Sequence, residues 1–323
     1  MLSCAGKVRR GIFNPDRPLV SVIIPAFNAS TYIERTLRSA MRQTYAALEI
    51  IVVNDGSTDD TAKLVEQIAT SDSRIRLLST PNRGVAAARN TGIEASSRRF
   101  VAFLDADDLW HPTKIEKQVN ALNRLSSHWA AVYTLHYIIN EDDEIIRPGS
   151  SDVARGYIYA RHLNVKYIGN GSALLVRRDV ALAIGGFDSS YAAAGIGCED
   201  LDFELKLAAR YFIEVIPERL VGYRKHPGSM SSDHLRMGKS ALEVVRRSLA
   251  ANPQVSRYAI GSAIDATQKY AFWEFRQARN VSVTRDHWGD FPKRPAFRGS
   301  ACAREGSAPN TTLSSSRDDH SKP

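Results

Sequence analysis

The feature that most constrains the fold is an abrupt change from apolar residues to aspartates within residues 99–112, RFVAFLDADDLWHP. Residues 100–104 are apolar in succession, and Asp105, Asp107 and Asp108 follow almost directly. An apolar run without alternation predicts a strand that is buried on both faces, as in a parallel sheet. Open α/β sheets bind their ligands at the carboxyl ends of the strands, which is where these aspartates fall.

Clustered carboxylates at a strand end have two interpretations. Aspartate side chains repel each other, and a hard divalent cation with oxygen ligands relieves that repulsion. Aspartate is also a common turn residue, so a solvated acidic turn before the next helix explains the same residues. This stretch alone does not separate a cation site from an acidic turn.

Composition limits the class of protein. The chain has 323 residues, of which 43% are hydrophobic and 24% charged, as in soluble globular proteins. An excess of 43 Lys and Arg over 35 Asp and Glu favours anionic partners such as nucleotide phosphates, phospholipid head groups or nucleic acid. The three cysteines have no metal-ligand spacing and fit a reducing compartment. Neither a secretory signal nor an apolar run of about 20 residues is present, so we expect a cytoplasmic protein.

Strands and helices alternate in the first part of the chain. Apolar runs predict strands at residues 19–24, 48–53, 75–78 and 100–104, with helices between them. Such alternation is typical of βαβ units and a parallel sheet. The P-loop and the G-x-G-x-x-G fingerprint are both absent, which removes the main support for an ATPase or a dinucleotide-binding enzyme.

The pattern changes after residue 109. A helix is predicted from Pro112, and a later one begins at Glu199-Asp200. Residues 234–280 predict two helical segments that divide near Asn252-Pro253. Further strands are predicted at 130–139, 144–147 and 173–176, with a last pair at 213–216 and 220–223.

A series of motifs, in order along the chain, resembles family 2 glycosyltransferases. The motifs are Val22-Ile-Ile-Pro25-Ala-Phe-Asn28, Val53-Asn-Asp55-Gly-Ser57-Thr-Asp59, Asn82-Arg-Gly84 with Ala88-Arg89-Asn90-Thr-Gly92, Phe103-Leu-Asp105-Ala-Asp107-Asp108, Gly185-Gly-Phe187, Glu199-Asp200, and Tyr223-Arg with His226 and Ser229-Met-Ser231. The resemblance covers residues 18–231, about two thirds of the chain. It implies a GT-A fold, an α/β structure whose mostly parallel nucleotide-binding sheet has flanking helices.

The resemblance also implies a domain organisation. We expect a loose leader at residues 1–17, a catalytic domain at 18–231 and a helical extension at 232–283. Within the catalytic domain, residues 18–108 would form the nucleotide-sugar half and 109–231 the acceptor half. The composition of residues 284–323 predicts a disordered tail.

The activity implied by the resemblance is transfer of one sugar from a nucleoside diphosphate donor, with a UDP-sugar favoured. Transfer would invert the anomeric carbon, depend on a metal, and end on a hydroxyl of a glycan or lipid-linked acceptor. The resemblance is to the bacterial surface-polysaccharide type of the family. The Q-x-x-R-W motif of processive relatives is absent, which predicts one transfer per encounter.

The resemblance assigns a group of residues to the donor. Asp55 would hydrogen-bond the nucleobase, since a carboxylate can accept the ring N–H of uracil; a turn in the Asn-Asp-Gly bend predicts the same residue type. Arg83 and Arg89 lie near the start of a predicted helix, where cations and the helix dipole together suit a diphosphate. A solvated face is the alternative for Arg83. The complete donor set is Pro25, Ala26, Asn28, Asp55, Arg83, Arg89 and Asp105.

The aspartates after the fourth strand match the family's D-x-D motif. We assign Asp107 to Mn²⁺ or Mg²⁺ and Asp105 to ribose or the metal, while Asp108 is a weaker candidate. The metal would neutralise charge on the departing nucleoside diphosphate. His226 lies at a position where related enzymes often carry a histidine near the metal, although a structural histidine is the alternative. Trp110 would either stack on a sugar or belong to the core.

Glu199 and Asp200 match the family's E-D pair. Asp200 would take the proton from the acceptor hydroxyl as general base, and Glu199 would orient the acceptor. An acidic pair at a helix start is also favoured by the helix dipole, whatever the function.

Three other classes of protein share parts of this pattern. A sugar nucleotidyltransferase would carry a Gly-rich loop where this chain has Pro25-Ala-Phe-Asn28. A nucleic-acid-binding protein would gather its charge in a stripe with aromatic residues, whereas here Lys and Arg are scattered, so no nucleic acid is expected. A non-catalytic sugar-binding relative is disfavoured by the intact Asp105, Asp107 and Asp200.

The helical extension at residues 232–283 would pack on the catalytic domain or make peripheral contact with the inner face of the cell membrane.

Overall fold

A nine-stranded mixed sheet runs through the part of the chain that the computed structural model describes, residues 19–278. The predicted leader at 1–17 and tail at 284–323 lie outside these residues. The strands are β1 (Val20–Ala26), β2 (Leu48–Asp55), β3 (Ile75–Thr80), β4 (Phe100–Phe103), β5 (Leu109–Trp110), β6 (Trp129–Ile139), β7 (Ile145–Pro148), β8 (Leu174–Arg177) and β9 (Phe212–Arg224). The helices are α1 (Ile33–Met41), α2 (Thr61–Ala69), α3 (Val85–Ala95), α4 (Lys114–Asn123), α5 (Tyr159–His162), α6 (Arg178–Ala183), α7 (Ser190–Ala193), α8 (Glu199–Ala208), α9 (His234–Ala251) and α10 (Arg257–Gln277).

The first four strands form the predicted parallel unit. The sheet order is β3-β2-β1-β4-β8-β6-β9-β5, with β7 paired to β6. Strand β1 pairs in parallel with both β2 and β4, and β2 pairs in parallel with β3. Every residue of β1, β2 and β4 is buried, as their continuous apolar runs predict. Beyond β4 the sheet is mixed, because β8 is antiparallel to both β4 and β6.

The predicted strand pair at 213–216 and 220–223 is wrong. Strand β9 is a single strand that pairs in parallel with β6 along its whole length. Its register shifts at Pro217 and Glu218, because Ile216 pairs with Thr134 while Arg219 pairs with the next residue of β6. Proline has no N–H to donate to a ladder, so it is tolerated at such a bulge. The segment resembles a turn in sequence, but the strand continues through it.

A close approach fixes helix α3 against the sheet. A Cβ on Gly92 would lie 2.3 Å from Cγ2 of Ile23 in β1, so any side chain there would force the helix outward. Arg89 lies one turn earlier on the same helix and is buried. The glycine therefore sets the depth at which Arg89 reaches the end of β4.

The C-terminal helices pack on the rest of the described chain, as one of the two alternatives predicts. Helices α9 and α10 contact each other, and α9 contacts α8. Ser240 Oγ in α9 accepts the N–H of Gly197 at 2.7 Å, and a Cβ on Gly238 would lie 2.6 Å from the ring of Phe275. No helix among residues 19–278 is long and apolar enough to cross a membrane. The limits of the predicted domains stay predictions.

Candidate active site

A cleft of about 530 Å³ opens at the carboxyl ends of β1 and β4. The start of α8, the end of β9, and residues of α9 and α10 also line it. The predicted site residues in its lining are Pro25, Asn28, Arg89, Asp105, Asp107, Glu199, Asp200 and His226. A larger cavity of about 840 Å³ beside α9 contains none of the predicted residues, so the smaller cleft is the candidate site.

Asp105 and Asp107 present partly exposed carboxylates to this cleft. Asp107 Oδ2 lies 3.1 Å from His226 Nε2, and the two aspartate side chains are 27% and 29% exposed. Burial raises the pKa of Asp107, and repulsion from Asp105 raises it further. No group of three or more His, Cys, Asp or Glu residues within 19–278 is arranged to hold a metal ion.

Asp108 faces away from the cleft and acts structurally. Its carboxylate is fully buried, accepting the N–H of Arg224 at 2.9 Å and the hydroxyl of Ser172 at 2.6 Å. Burial, followed by repulsion from Asp107 and Asp105, raises its pKa well above the ordinary value. Asp108 thus joins the end of β4 to β9 and to the segment before β8.

Arg89 connects the two acidic motifs. Its Nη1 donates to Glu199 Oε1 at 2.7 Å and its Nη2 to Asp105 Oδ1 at 2.6 Å, and its side chain is 3% exposed. Burial lowers the pKa of Arg89, but Asp105 and Glu199 raise it by more, so the net pKa is raised. The guanidinium is held between carboxylates, and its predicted contact with a diphosphate stays a prediction. A Cβ on Gly171 would lie 3.1 Å from Nη2, so this glycine leaves room for the bridge.

Asp200 is held by a lysine that the sequence motifs do not include. Asp200 Oδ2 accepts from Lys166 Nζ at 2.5 Å, and Oδ1 accepts the N–H of Leu201 at 2.8 Å. Burial raises the pKa of Asp200, but Lys166 and then Arg89 lower it by more, so the pKa is below its ordinary value. Lys166 lies in an irregular segment without a recognisable motif, so its sequence carries no signal for this contact.

Asp55, Arg83 and Ala26 lie outside the lining of the cleft. The buried carboxylate of Asp55 accepts the backbone N–H groups of Arg83 at 2.9 Å and Gly84 at 2.8 Å, which holds the loop before α3. The turn bond in this bend is made by Asn54, which accepts the N–H of Ser57. The Arg83 side chain is exposed, and Ala26 is buried in β1. A nucleobase contact by Asp55 stays a prediction.

Asn28 joins the loops that follow β1 and β2. Its Oδ1 accepts the N–H of Thr58 at 2.9 Å, and its own N–H donates to Ser57 Oγ at 3.0 Å. Its φ of 48° lies in the left-handed region, where Asn is one of the few tolerated residues besides Gly. These contacts shape the wall of the cleft beside Pro25.

Trp110 belongs to the core, and Asn170 lines the cleft. Trp110 is 4% exposed and donates through Nε1 to the carbonyl of Ser172 at 2.9 Å, so the core interpretation is correct. Asn170 lines the cleft and is 4% exposed, yet neither polar atom of its side chain has a hydrogen-bond partner among the described residues. An unpaired buried amide costs about 1–3 kcal/mol, so a polar ligand group would stabilise it.

The mixed α/β sheet, with a parallel unit at one side and two aspartates that follow β4 and line a cleft, is the arrangement expected of the GT-A fold. The sequence model described as Glycosyl transferase family 2 matches residues 21–182, half of the chain. The chain therefore belongs to glycosyl transferase family 2.

A curated relative agrees with this assignment. The chain is 41% identical over 128 residues to the Escherichia coli UDP-Glc:alpha-D-GlcNAc-diphosphoundecaprenol beta-1,3-glucosyltransferase WfgD, covering 39% of this chain and 49% of that protein. The matched stretches span 14% to 49% of the length of the curated relatives.

Two solved structures show the same fold at low identity. Staphylococcus aureus TarS 1-349 in complex with UDP-GlcNAc has a TM-score of 0.55 at 17% identity, over 83% of this chain and 89% of that one. The mannosyltransferase PcManGT from Pyrobaculum calidifontis, in complex with GDP-Man and Mn²⁺, has a TM-score of 0.54 at 21% identity, over 85% and 88%. At these identities the likeness shows the GT-A fold alone.

Proposed function

We propose that this cleft transfers one sugar from a nucleoside diphosphate sugar to a hydroxyl of a glycan or lipid-linked acceptor. The observation that carries the proposal is the double contact of Arg89 with Asp105 and Glu199. Through it, the motif assigned to the donor and the motif assigned to the acceptor share one cleft. Family membership supports the reaction class.

A UDP-sugar is the donor we favour. TarS is solved with UDP-GlcNAc and the name of WfgD specifies UDP-Glc, whereas PcManGT is solved with GDP-Man. Pro25, Ala26, Asn28 and Asp55 are assigned to the nucleoside, with Asp55 acting through the loop that it holds as well as directly. Arg83 and Arg89 are assigned to the diphosphate side.

Asp105 and Asp107 would hold Mn²⁺ or Mg²⁺, with His226 beside Asp107. The residues fit such an ion, because two carboxylates that repel each other face the cleft, and oxygen ligands suit these metals. When bound, the ion would supply Lewis-acid stabilisation of the charge that develops on the nucleoside diphosphate.

Asp200 is the general base in the proposed reaction. The acceptor oxygen forms a bond to the anomeric carbon, its proton passes to the Asp200 carboxylate, and the bond to the diphosphate breaks with its electron pair leaving on the diphosphate. Attack from the side opposite the leaving group inverts the anomeric carbon. Lys166 keeps Asp200 ionised, and Glu199, fixed by Arg89, orients the acceptor.

A role in bacterial surface polysaccharide assembly, with one transfer per encounter, completes the proposal. The named acceptor of WfgD is a lipid diphosphate sugar, which supports a lipid-linked acceptor. Peripheral contact with the inner face of the cell membrane would then bring the enzyme to its acceptor, and a cytoplasmic location stays a prediction.

A donor panel tests the proposal. UDP-, GDP- and dTDP-sugars are incubated with the full chain, with Mn²⁺ or with EDTA, and release of the nucleoside diphosphate is measured. We expect release from one nucleotide class, with a requirement for the metal. Pyrophosphate formed from UTP and a sugar 1-phosphate, without hydrolysis of any donor, would instead identify a nucleotidyltransferase.

A further inference from the structure

One wall of the cleft comes from the C-terminal helices. Tyr270, Trp273 and Glu274 of α10, together with His234 of α9, line the same cleft as Asp107 and Asp200. The match to the family ends at residue 182, so this wall lies outside the matched segment. The chain thus adds its own surface to a cleft whose other side carries the family's donor motifs.

The wall adjoins the acidic pair at the start of α8. Ser240 of α9 accepts the N–H of Gly197, and Arg236 of α9 donates to the carbonyl of Ile196. Ile196 and Gly197 precede Glu199 and Asp200 by only a few positions. Helix α9, and α10 packed on it, are therefore tied directly to the backbone that leads into the proposed base.

The wall presents aromatic surface to solvent. Trp273 is 52% exposed, and its ring stacks near that of Tyr270 with centroids 6.5 Å apart and planes at 29°. The His234 ring meets Trp273 edge-on at 6.2 Å. A large exposed aromatic ring inside a cleft offers apolar area that a ligand can cover. A pyranose ring has such a complementary face, made of its C–H groups.

Polar groups stand beside this aromatic surface. His234 Nδ1 lies 2.7 Å from Glu274 Oε2, and the Glu274 side chain is 6% exposed while His234 is 37% exposed. The Tyr270 hydroxyl also hydrogen-bonds Glu274, so this carboxylate holds both the phenol and the imidazole. The outer nitrogen of the imidazole is left for a further hydrogen bond. An aromatic face with a few placed polar groups is the composition of a small-molecule subsite. For a sugar, the polar groups would meet the hydroxyls at the ring's rim.

We propose that Trp273, Tyr270 and the His234–Glu274 pair form a subsite for a sugar ring of the acceptor. The inference rests on the proposed function, because it requires that Asp200 receive a proton from that acceptor. The ring stacks on Trp273 so that one hydroxyl points toward Asp200. The donor occupies the opposite side, where β1 and β4 end.

Phe272 provides a matched control. It neighbours Trp273 on α10 and is 43% exposed, but it is not part of the cleft lining. A loss that is specific to Trp273 therefore separates cleft binding from a general effect of removing an exposed aromatic ring from this helix.

The test uses the full chain and a panel of p-nitrophenyl glycosides as acceptor probes, at saturating UDP-sugar and Mn²⁺. Trp273→Ala should raise the KM for the best glycoside about 3- to 10-fold, the size of an aromatic contact. Trp273→Phe should restore part of the loss. Phe272→Ala should leave KM unchanged, and all three variants should bind UDP like the wild type.

The possible results distinguish failure of the acceptor subsite from failure of the proposed function. Equal KM increases for Trp273→Ala and Phe272→Ala would overturn the subsite, and so would binding of UDP without use of any glycoside by the wild type. A wild-type protein that binds no nucleoside diphosphate would instead overturn the proposed function. A Glu274→Gln variant that raises the acceptor KM, with unchanged melting temperature, would support the polar half of the subsite.

Discussion

Lys166 Nζ lies 2.5 Å from Asp200 Oδ2, so the proposed base is paired with a cation before any acceptor arrives. Lys166 lowers the pKa of this carboxyl below its ordinary value against the opposing effect of burial. A base kept ionised in this way remains competent in mildly acidic solution, at the expense of proton affinity.

Replacing Lys166 by Met should move the acid limb of the kcat profile to higher pH. The general base works in its deprotonated form, and without Lys166 its pKa rises, so activity is lost at a higher pH on acidification. Lys225→Met is the matched control, because Lys225 also lines the cleft but donates to Ser231. An acid limb that stays in place in Lys166→Met would show that Asp200 is not the titrating group.

Asp200→Asn should lower kcat for transfer by about 10²–10⁴-fold, since the amide keeps the shape and removes the basicity. Binding of UDP should be unchanged, because the substitution lies on the acceptor side. Calorimetry with UDP and Mn²⁺ checks binding, and product formation checks kcat. Near wild-type transfer by this variant would place the base elsewhere.

Glu199→Gln is expected to act on stability as well as on transfer. Glu199 is one of two carboxylates that compensate the buried Arg89, and breaking a buried pair from one side costs about 3–5 kcal/mol. Glu34→Gln breaks an exposed pair with Arg38 and should cost about 1 kcal/mol or less. Urea unfolding of both variants measures the difference. Equal, small losses would mean that Asp105 alone satisfies Arg89.

Asp107→Ala should abolish transfer, and EDTA should reproduce that loss in the wild-type enzyme. The reason is that Asp107 is a proposed ligand of the ion that neutralises the leaving diphosphate. Readdition of Mn²⁺ should rescue the chelated wild type but not the variant, whose far-ultraviolet circular dichroism should be normal. Full transfer in EDTA would contradict the metal assignment.

The sequence predicted the strands well where both faces are buried. The continuous apolar runs of β1, β2 and β4 have few other interpretations, and the structure confirms their parallel pairing. The prediction failed at β9, because Pro217 marks a bulge and not a turn. A proline has the same local preference in both settings, so only the pairing with β6 decides between them.

The site was predictable only in part, for a related reason. The acidic motifs could be placed from their neighbours in sequence, but their partners come from distant segments. Lys166 precedes Asp200 by 34 positions, and Trp273 reaches the cleft from a helix whose periodicity says nothing about what it faces. Asp55 and Asn54 are adjacent, and only the fold shows which of them makes the turn and which holds the loop before α3.

The bridge through Arg89 bears on how this chain can be divided into fragments. The family model matches residues 21–182, and Glu199 lies beyond them. A fragment that ended at residue 182 would leave Arg89 without Glu199, one of its two counter-charges, and without the Phe187 ring that its guanidinium contacts. A fragment made of the family segment alone, or a chimera that exchanges this segment with that of a relative, should therefore fail to fold stably unless it includes the start of α8. We therefore expect the smallest fragment that folds around this site to be longer than residues 21–182, the stretch that matches the family.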